Sequence, residues 1–240
     1  MTNLILNPSF EGTYTVRNNA GEVQVAPDWS PWWSDGLREI PGMEGGSAST
    51  IPTARPEYKP LPVSVDAYRV HSGNTAQCWF SFSRVNYAGI YQQVPATVDK
   101  TYRFGVWAQA WSSNDDGAPH TSPGELYISL GIDPDGGSWW KSRAIAWSQW
   151  QPVTNVYQRF VSLPIMAQKP MLSVWIASGV KWALKHGDIY VDDAECWEVA
   201  AAPTPEPEPE PEPGTGINYD WIAQIVRQEL VDRPPVKWPR

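Results

Sequence analysis

The sequence is poor in charge, cysteine and histidine, and it contains no long apolar run. Charged residues are 18% of the 240, below the quarter or so found in ordinary globular domains. Without an apolar stretch of about 18 residues, no membrane span is predicted. Two cysteines, Cys78 and Cys196, are too few for a disulfide scaffold, so a hydrophobic core must carry the fold. The start, Met1-Thr2-Asn3-Leu4, lacks a basic region followed by an apolar stretch, so no signal peptide is predicted. His71, His120 and His186 stand in no metal-binding spacing, and His71 is expected to shape a loop. No Gly-x-Ser-x-Gly elbow or phosphate loop occurs. Glycosidases need two carboxylates about 5–9.5 Å apart across a sugar, and no glycosidase motif is present. The expectation is a protein without catalysis.

The formal charge is −8. Half of it sits on Glu206, Glu208, Glu210 and Glu212, and the segment after them is positive by one, which leaves −5 on residues 1–202. A mildly acidic surface argues against nucleic acid or an anionic membrane as partner. Neutral ligands stay open.

Tryptophan and proline are abundant, with 15 and 24 copies. So many indoles exceed what packing needs, and aromatics dominate interfaces as well as cores. Period-2 alternation recurs through the first 200 or so residues. In Thr101–Trp111 one face reads Tyr102, Phe104, Val106, Ala108, Ala110; the other reads Arg103, Gly105, Trp107, Gln109, Trp111. Leu126, Ile128, Leu130 and Ile132 alternate with Tyr127, Ser129, Gly131 and Asp133, and Val174 and Ile176 with Ser173, Trp175 and Ala177. Short strands between Gly, Pro, Asn and Asp clusters predict an all-β sandwich over residues 1–202. Residues 36–62 and 112–124 read as long loops, the first because its prolines interrupt a ladder.

From Pro203 the composition changes. Residues 203–216 form a Pro-Glu-rich extended spacer, whose first eleven residues at about 3.1 Å each reach roughly 34 Å. Residues 217–240 follow as a short peptide. Asn218–Leu230 has helical periodicity, with Trp221, Ile222, Ile225 and Val226 along one side. Such a peptide is either a frayed tail or an anchor on a neighbouring protein subunit.

Four stretches in order carry a resemblance. They are Asn3-Leu-Ile-Leu-Asn-Pro-Ser-Phe-Glu11, Val70-His-Ser-Gly-Asn-Thr-Ala76, Gln93–Ala110 and Ile189-Tyr-Val-Asp-Asp-Ala194. Together they resemble the galactose-binding-like jelly roll of the carbohydrate-binding modules appended to xylanases and other glycanases, over residues 3–199. The resemblance implies a structural calcium where first and last strands meet, held by Glu11 and Asp192, with Asp193 as the alternative ligand and carbonyls near 71–74 beside them. Mixed carboxylate and carbonyl sets suit this ion.

The resemblance also implies a poly- or oligosaccharide ligand stacked on aromatics of an outward sheet face. Trp107, Trp111, Gln109 and Arg103 share the face opposite the core on one strand, and Tyr127 has that orientation on a nearby one. The alternative is that long loops fold over this face and make a second core. One of Trp29, Trp32 and Trp33 is expected to seal the sandwich edge, and Trp139, Trp140, Trp147 and Trp150 to form a rim patch. Family topology makes the strands of Cys78 and Cys196 near neighbours, which allows a bridge; buried free thiols are the alternative. Two functions remain: a glycan-binding module, or a decoration or fibre protein of a phage virion or other surface assembly whose tail docks on a neighbour. Both place the protein outside the cell or on a virion surface.

Overall fold

The computed structural model describes residues 2–116 and 125–200. The spacer, the C-terminal peptide with Trp221, Ile222, Ile225 and Val226, and most of the 112–124 loop lie outside the described residues. Met1–Ala200 forms one compact unit.

Fourteen strands run in order: β1 (Thr15–Arg17), β2 (Ala20–Val25), β3 (Ser30–Trp33), β4 (Glu57–Pro62), β5 (Thr75–Ser81), β6 (Tyr87–Pro95), β7 (Thr101–Ser113), β8 (Leu126–Asp133), β9 (Ala146–Trp147), β10 (Gln151–Pro152), β11 (Gln158–Val161), β12 (Ile165–Met166), β13 (Met171–Val180) and β14 (His186–Glu198). They form an eight-stranded sheet in the order β1-β2-β4-β5-β14-β7-β11, with β12 also on β7. The other sheet has six strands, β10-β8-β13-β6-β3, with β9 on β8. The alternation predicts the sandwich, and the family resemblance implies its jelly-roll form.

The alternating sets reach the core as read. Tyr102, Phe104, Val106, Ala108 and Ala110 meet Leu126, Ile128, Leu130, Ile132, Val174 and Ile176 across the sandwich, all buried. Trp29 seals the edge, its ring 5.0 Å from Phe10 and its Nε1 donating to the Asn7 carbonyl. A bulge between Asp192 and Glu195 shifts the phase of β14, so that Ile189 and Val191 before it and Ala194 and Cys196 after it all face the core.

Part of the expected 36–62 loop is strand. β4 pairs with β5 along its whole length and with β2 only at Tyr58 opposite Val23. Pro60 and Pro62, lacking N–H, sit at alternate positions, which a strand tolerates when only one side carries a full ladder. The remaining 36–56 stretch packs on the outer face of the six-stranded sheet. There Ile40, Met43 and Ala48 cover Trp32, Tyr87, Trp175 and Ala177, with Trp140, Trp147 and Trp150 against them. The expected rim patch is therefore mostly a second core, and of its tryptophans only Trp139, 63% accessible, is exposed.

Candidate functional site

The outer face of the eight-stranded sheet carries the aromatic and charged residues that a ligand could meet. From β7 it receives Arg103, Gly105, Trp107, Gln109 and Trp111. From β14 come Asp188, Tyr190 and Asp192 before the bulge and Glu195 and Trp197 after it. Arg159 of β11 stands opposite Trp107. Sequence reasoning missed Tyr190, Glu195 and Trp197 because the bulge breaks the alternation that would have grouped them. Nothing in the sequence flagged Arg159.

Half of this face is covered, as the alternative reading had it, though by residues 63–71 and not by a 36–62 loop. The Gln109 amide donates to the Tyr68 carbonyl at 2.7 Å, and the Tyr157 hydroxyl to the Arg69 carbonyl at 2.8 Å. The Arg69 guanidinium lies 4.9 Å from the Trp111 ring centre and 4.4 Å from that of Tyr190, with only 1% of the residue accessible. His186 stacks on Trp111 at 3.8 Å. Burial holds Asp188 at a pKa of about 6, against the pull of His186, Tyr190 and Arg69. Trp111 and Gln109 thus lie beneath a cover.

The other half is less covered. Trp107 is half-buried, with the His71 ring stacked on it at 4.3 Å. Beside it, Arg159 bridges to Glu195, its Nε donating at 2.7 Å, and its guanidinium lies 5.3 Å from the Trp197 ring centre. Gly105 is the floor between these groups. A Cβ there would stand 3.3 Å from both the Glu195 carboxylate and the Trp197 ring. Thr2, Asn3, Arg159, Glu195 and Trp197 line a cavity of about 210 Å³, and Arg103 pairs in register with Trp197.

Tyr127 does not join this set. β8 belongs to the six-stranded sheet, and Tyr127 packs against that sheet's outer cluster. The period-2 pattern of two strands fixes which side each residue takes, but not which sheet holds the strand. The two cysteines are free. Cys78 pairs in register with Tyr190 and lies on the outer face, its Sγ donating to the Lys59 carbonyl, whereas Cys196 points into the core. The sheet itself separates them, and burial pushes each thiol up to about 12.

Glu11 and Asp192 do converge on the 71–75 turn. Glu11 Oε1 accepts from the N–H groups of Asn74 and Thr75, and Asp192 Oδ2 from those of His71 and Ser72. Gly73 has φ +67°, and a Cβ there would collide with the Glu11 carboxylate. Asp192, fully buried, is pushed up to about 7 by burial, with Asp193 adding to the rise. Asp193 is drawn below its usual range: burial raises it, but hydrogen bonds from His71, Ser72 and Ser9 outweigh that. Among the described residues no three acidic, histidine or cysteine side chains converge as a metal cluster. The side chains that would hold a cation here, Glu11 and Asp192, offer oxygen donors only, which suit calcium better than zinc.

No protein-family profile matches the chain, and no curated protein does either. Among solved structures, the module TmCBM61 in complex with β-1,4-galactotriose aligns at 12% identity and a TM-score of 0.50, covering 83% of this chain and 100% of that one. The two share the jelly-roll fold. The CBM22-1 xylan-binding domain of Paenibacillus barcinonensis Xyn10C aligns at 13% identity and a TM-score of 0.39, over 70% of this chain and 94% of that one. The enzymatically active domain of tailspike protein 4 from bacteriophage CBA120 aligns at 10% identity and a TM-score of 0.44, over 78% of this chain but 21% of that one. At 12% identity the alignment with TmCBM61 bears on the fold, not on a ligand.

Proposed function

We propose that this domain is a non-catalytic saccharide-binding module whose ligand lies along the less covered strip of the eight-stranded sheet. The observation that carries the reading is the part-buried Trp107 ring, with His71 on one face, set among Arg103, Arg159 and Glu195 on the outward face of a jelly roll. An indole face suits the C–H side of a pyranose, while guanidinium and carboxylate groups bind its hydroxyls. A structure of this fold solved with β-1,4-galactotriose supports the same ligand class. A glycan array tests it. Binding to a restricted set of neutral glycans, lost in Trp107→Ala, is expected; a blank array contradicts it.

Calcium at Glu11 and Asp192 belongs to the same proposal. It would neutralise a buried carboxylate and lock the N-terminal segment to the last strand. An extracellular or virion-surface setting accords with both.

One observation favours an assembly role as the second reading. Where residues 95–101 meet 163–171, the apolar side chains of Val98, Leu163, Met166 and Met171 are exposed, beside a pocket of about 520 Å³ lined by Leu4, Pro95, Ala96 and Tyr102. Apolar groups gathered at one end suit a protein contact. Deleting residues 203–240 separates the readings: loss of self-association or virion incorporation with glycan binding intact supports assembly.

A further inference from the structure

Beneath residues 63–71, polar groups remain unmatched by protein. Arg69 Nη1 and Nη2, Gln109 Oε1 and Asp188 Oδ1 are all buried without a hydrogen-bond partner among the described residues. Gln109 is 1% accessible and Asp188 7%. They flank the two rings between which the Arg69 guanidinium sits, those of Trp111 and Tyr190. With Arg69 withdrawn, the two aromatic faces and the two acceptor oxygens are what a polyhydroxylated ring needs. Groups with no protein partner bond only to small molecules, so a hydroxyl can take them over without breaking a protein contact.

The cover is fastened unevenly along its length. β4 finishes and β5 starts as paired neighbours, Pro62 opposite Thr75, and the Val63 N–H donates to the Asn74 carbonyl at 2.9 Å. The loop therefore closes on itself, and displacing it leaves both strands in place. Its far leg, 71–75, is fastened by Glu11 and Asp192. Its near leg turns Val63, Val65 and Tyr68 to solvent. That leg meets the sheet through Arg69 and the Gln109 and Tyr157 hydrogen bonds, and reaches the Asn155 carbonyl through the Tyr68 hydroxyl. Few buried apolar contacts and a short list of fastenings mark segments that open locally.

We infer that the slot between Trp111 and Tyr190 is a closed saccharide subsite, that Arg69 occupies it, and that withdrawal of residues 63–70 opens it. The inference rests on the saccharide reading of the neighbouring strip, which it extends along β7. Once the slot is open, Gln109 and Asp188 accept from sugar hydroxyls while Trp111 and Tyr190 contact the ring.

Cys78 reports the opening independently of any sugar. It is buried on the same outer face next to Tyr190, whereas Cys196 in the core serves as an internal control. The full chain is labelled with N-ethylmaleimide and mapped by peptide mass, in the wild type, in Arg69→Ala and in Tyr157→Phe, which removes one hydroxyl fastening and no charge. Cys78 is expected to label about tenfold faster in both variants, with Cys196 silent in all three. On the glycan array, Arg69→Ala is expected to bind about fivefold more tightly than wild type, since it no longer spends affinity on displacing its own cover. Unchanged Cys78 labelling in both variants overturns the moving cover. Faster labelling without tighter glycan binding overturns the subsite. Binding that is lost in Trp107→Ala yet indifferent to Arg69→Ala overturns this inference alone; a blank array for every variant overturns the saccharide reading with it.

Discussion

The His71 ring stacks on Trp107 with centroids 4.3 Å apart and planes 18° from parallel, while His71 Nδ1 bonds Asp193 Oδ2 at 2.6 Å. The stack ties the candidate binding face to the turn that Glu11 and Asp192 hold. Trp107→Ala should therefore cost more than ligand affinity. Losing an aromatic stack removes about 0.5–1.5 kcal/mol beyond area burial. Thermal unfolding should show a small drop, with His71→Ala giving a similar one and leaving Trp107 available to ligand.

Calcium should raise the melting temperature, and a chelator should reverse the rise. Glu11→Gln and Asp192→Asn should each abolish the effect in calorimetry. Gly73→Ala should abolish it too, and should destabilise the apo protein by about 1–2 kcal/mol through its left-handed backbone alone. No heat of binding and no thermal shift would remove calcium from the account.

Stability should fall as pH rises through Asp188. Its carboxyl is held near 6 by burial, above the ordinary 3.8, so the folded state binds the proton more tightly than the unfolded chain. The stabilisation is complete below about pH 4 and lost as pH passes about 6, with at most about 3 kcal/mol at stake. The groups facing it are His186, Tyr190, Arg69 and Cys78. Asp188→Asn should flatten denaturant midpoints across that window; an unchanged slope would assign it to another group.

The cysteines should stay apart. Intact mass under mild oxidation should show no intramolecular loss of two hydrogens, and reductant should leave the melting temperature unchanged. Cys78 and Cys196 occupy opposite faces of one sheet.

How much of this was legible in sequence follows from what periodicity encodes. The inward and outward faces of β7 were readable residue by residue, because an unbroken alternation over Tyr102–Trp111 has one solution in a half-buried strand. The extra residue in β14 is invisible to that logic, which is why Glu195 and Trp197 escaped notice. Tyr127 was misgrouped because alternation says nothing of sheet membership. Whether Cys78 or Trp79 faces the core cannot be read from an apolar run such as Cys78–Phe80; Trp79 is the core residue of β5 and Cys78 faces out. Arg69 carries no local signal at all, since its role depends on two rings brought from β7 and β14. The resemblance through Glu11, the 71–74 turn and Asp192 did locate a real junction of three distant segments.

The central claim is that saccharide binds the outer face of the eight-stranded sheet. Its most direct test is an equilibrium titration of the best array ligand against wild type, Trp107→Ala and Trp139→Ala. Trp139 is exposed at the opposite sheet and serves as the control. The account predicts that Trp107→Ala weakens binding by at least about tenfold, or 1.4 kcal/mol, while Trp139→Ala matches wild type. Binding that survives Trp107→Ala and disappears in Trp139→Ala would contradict it.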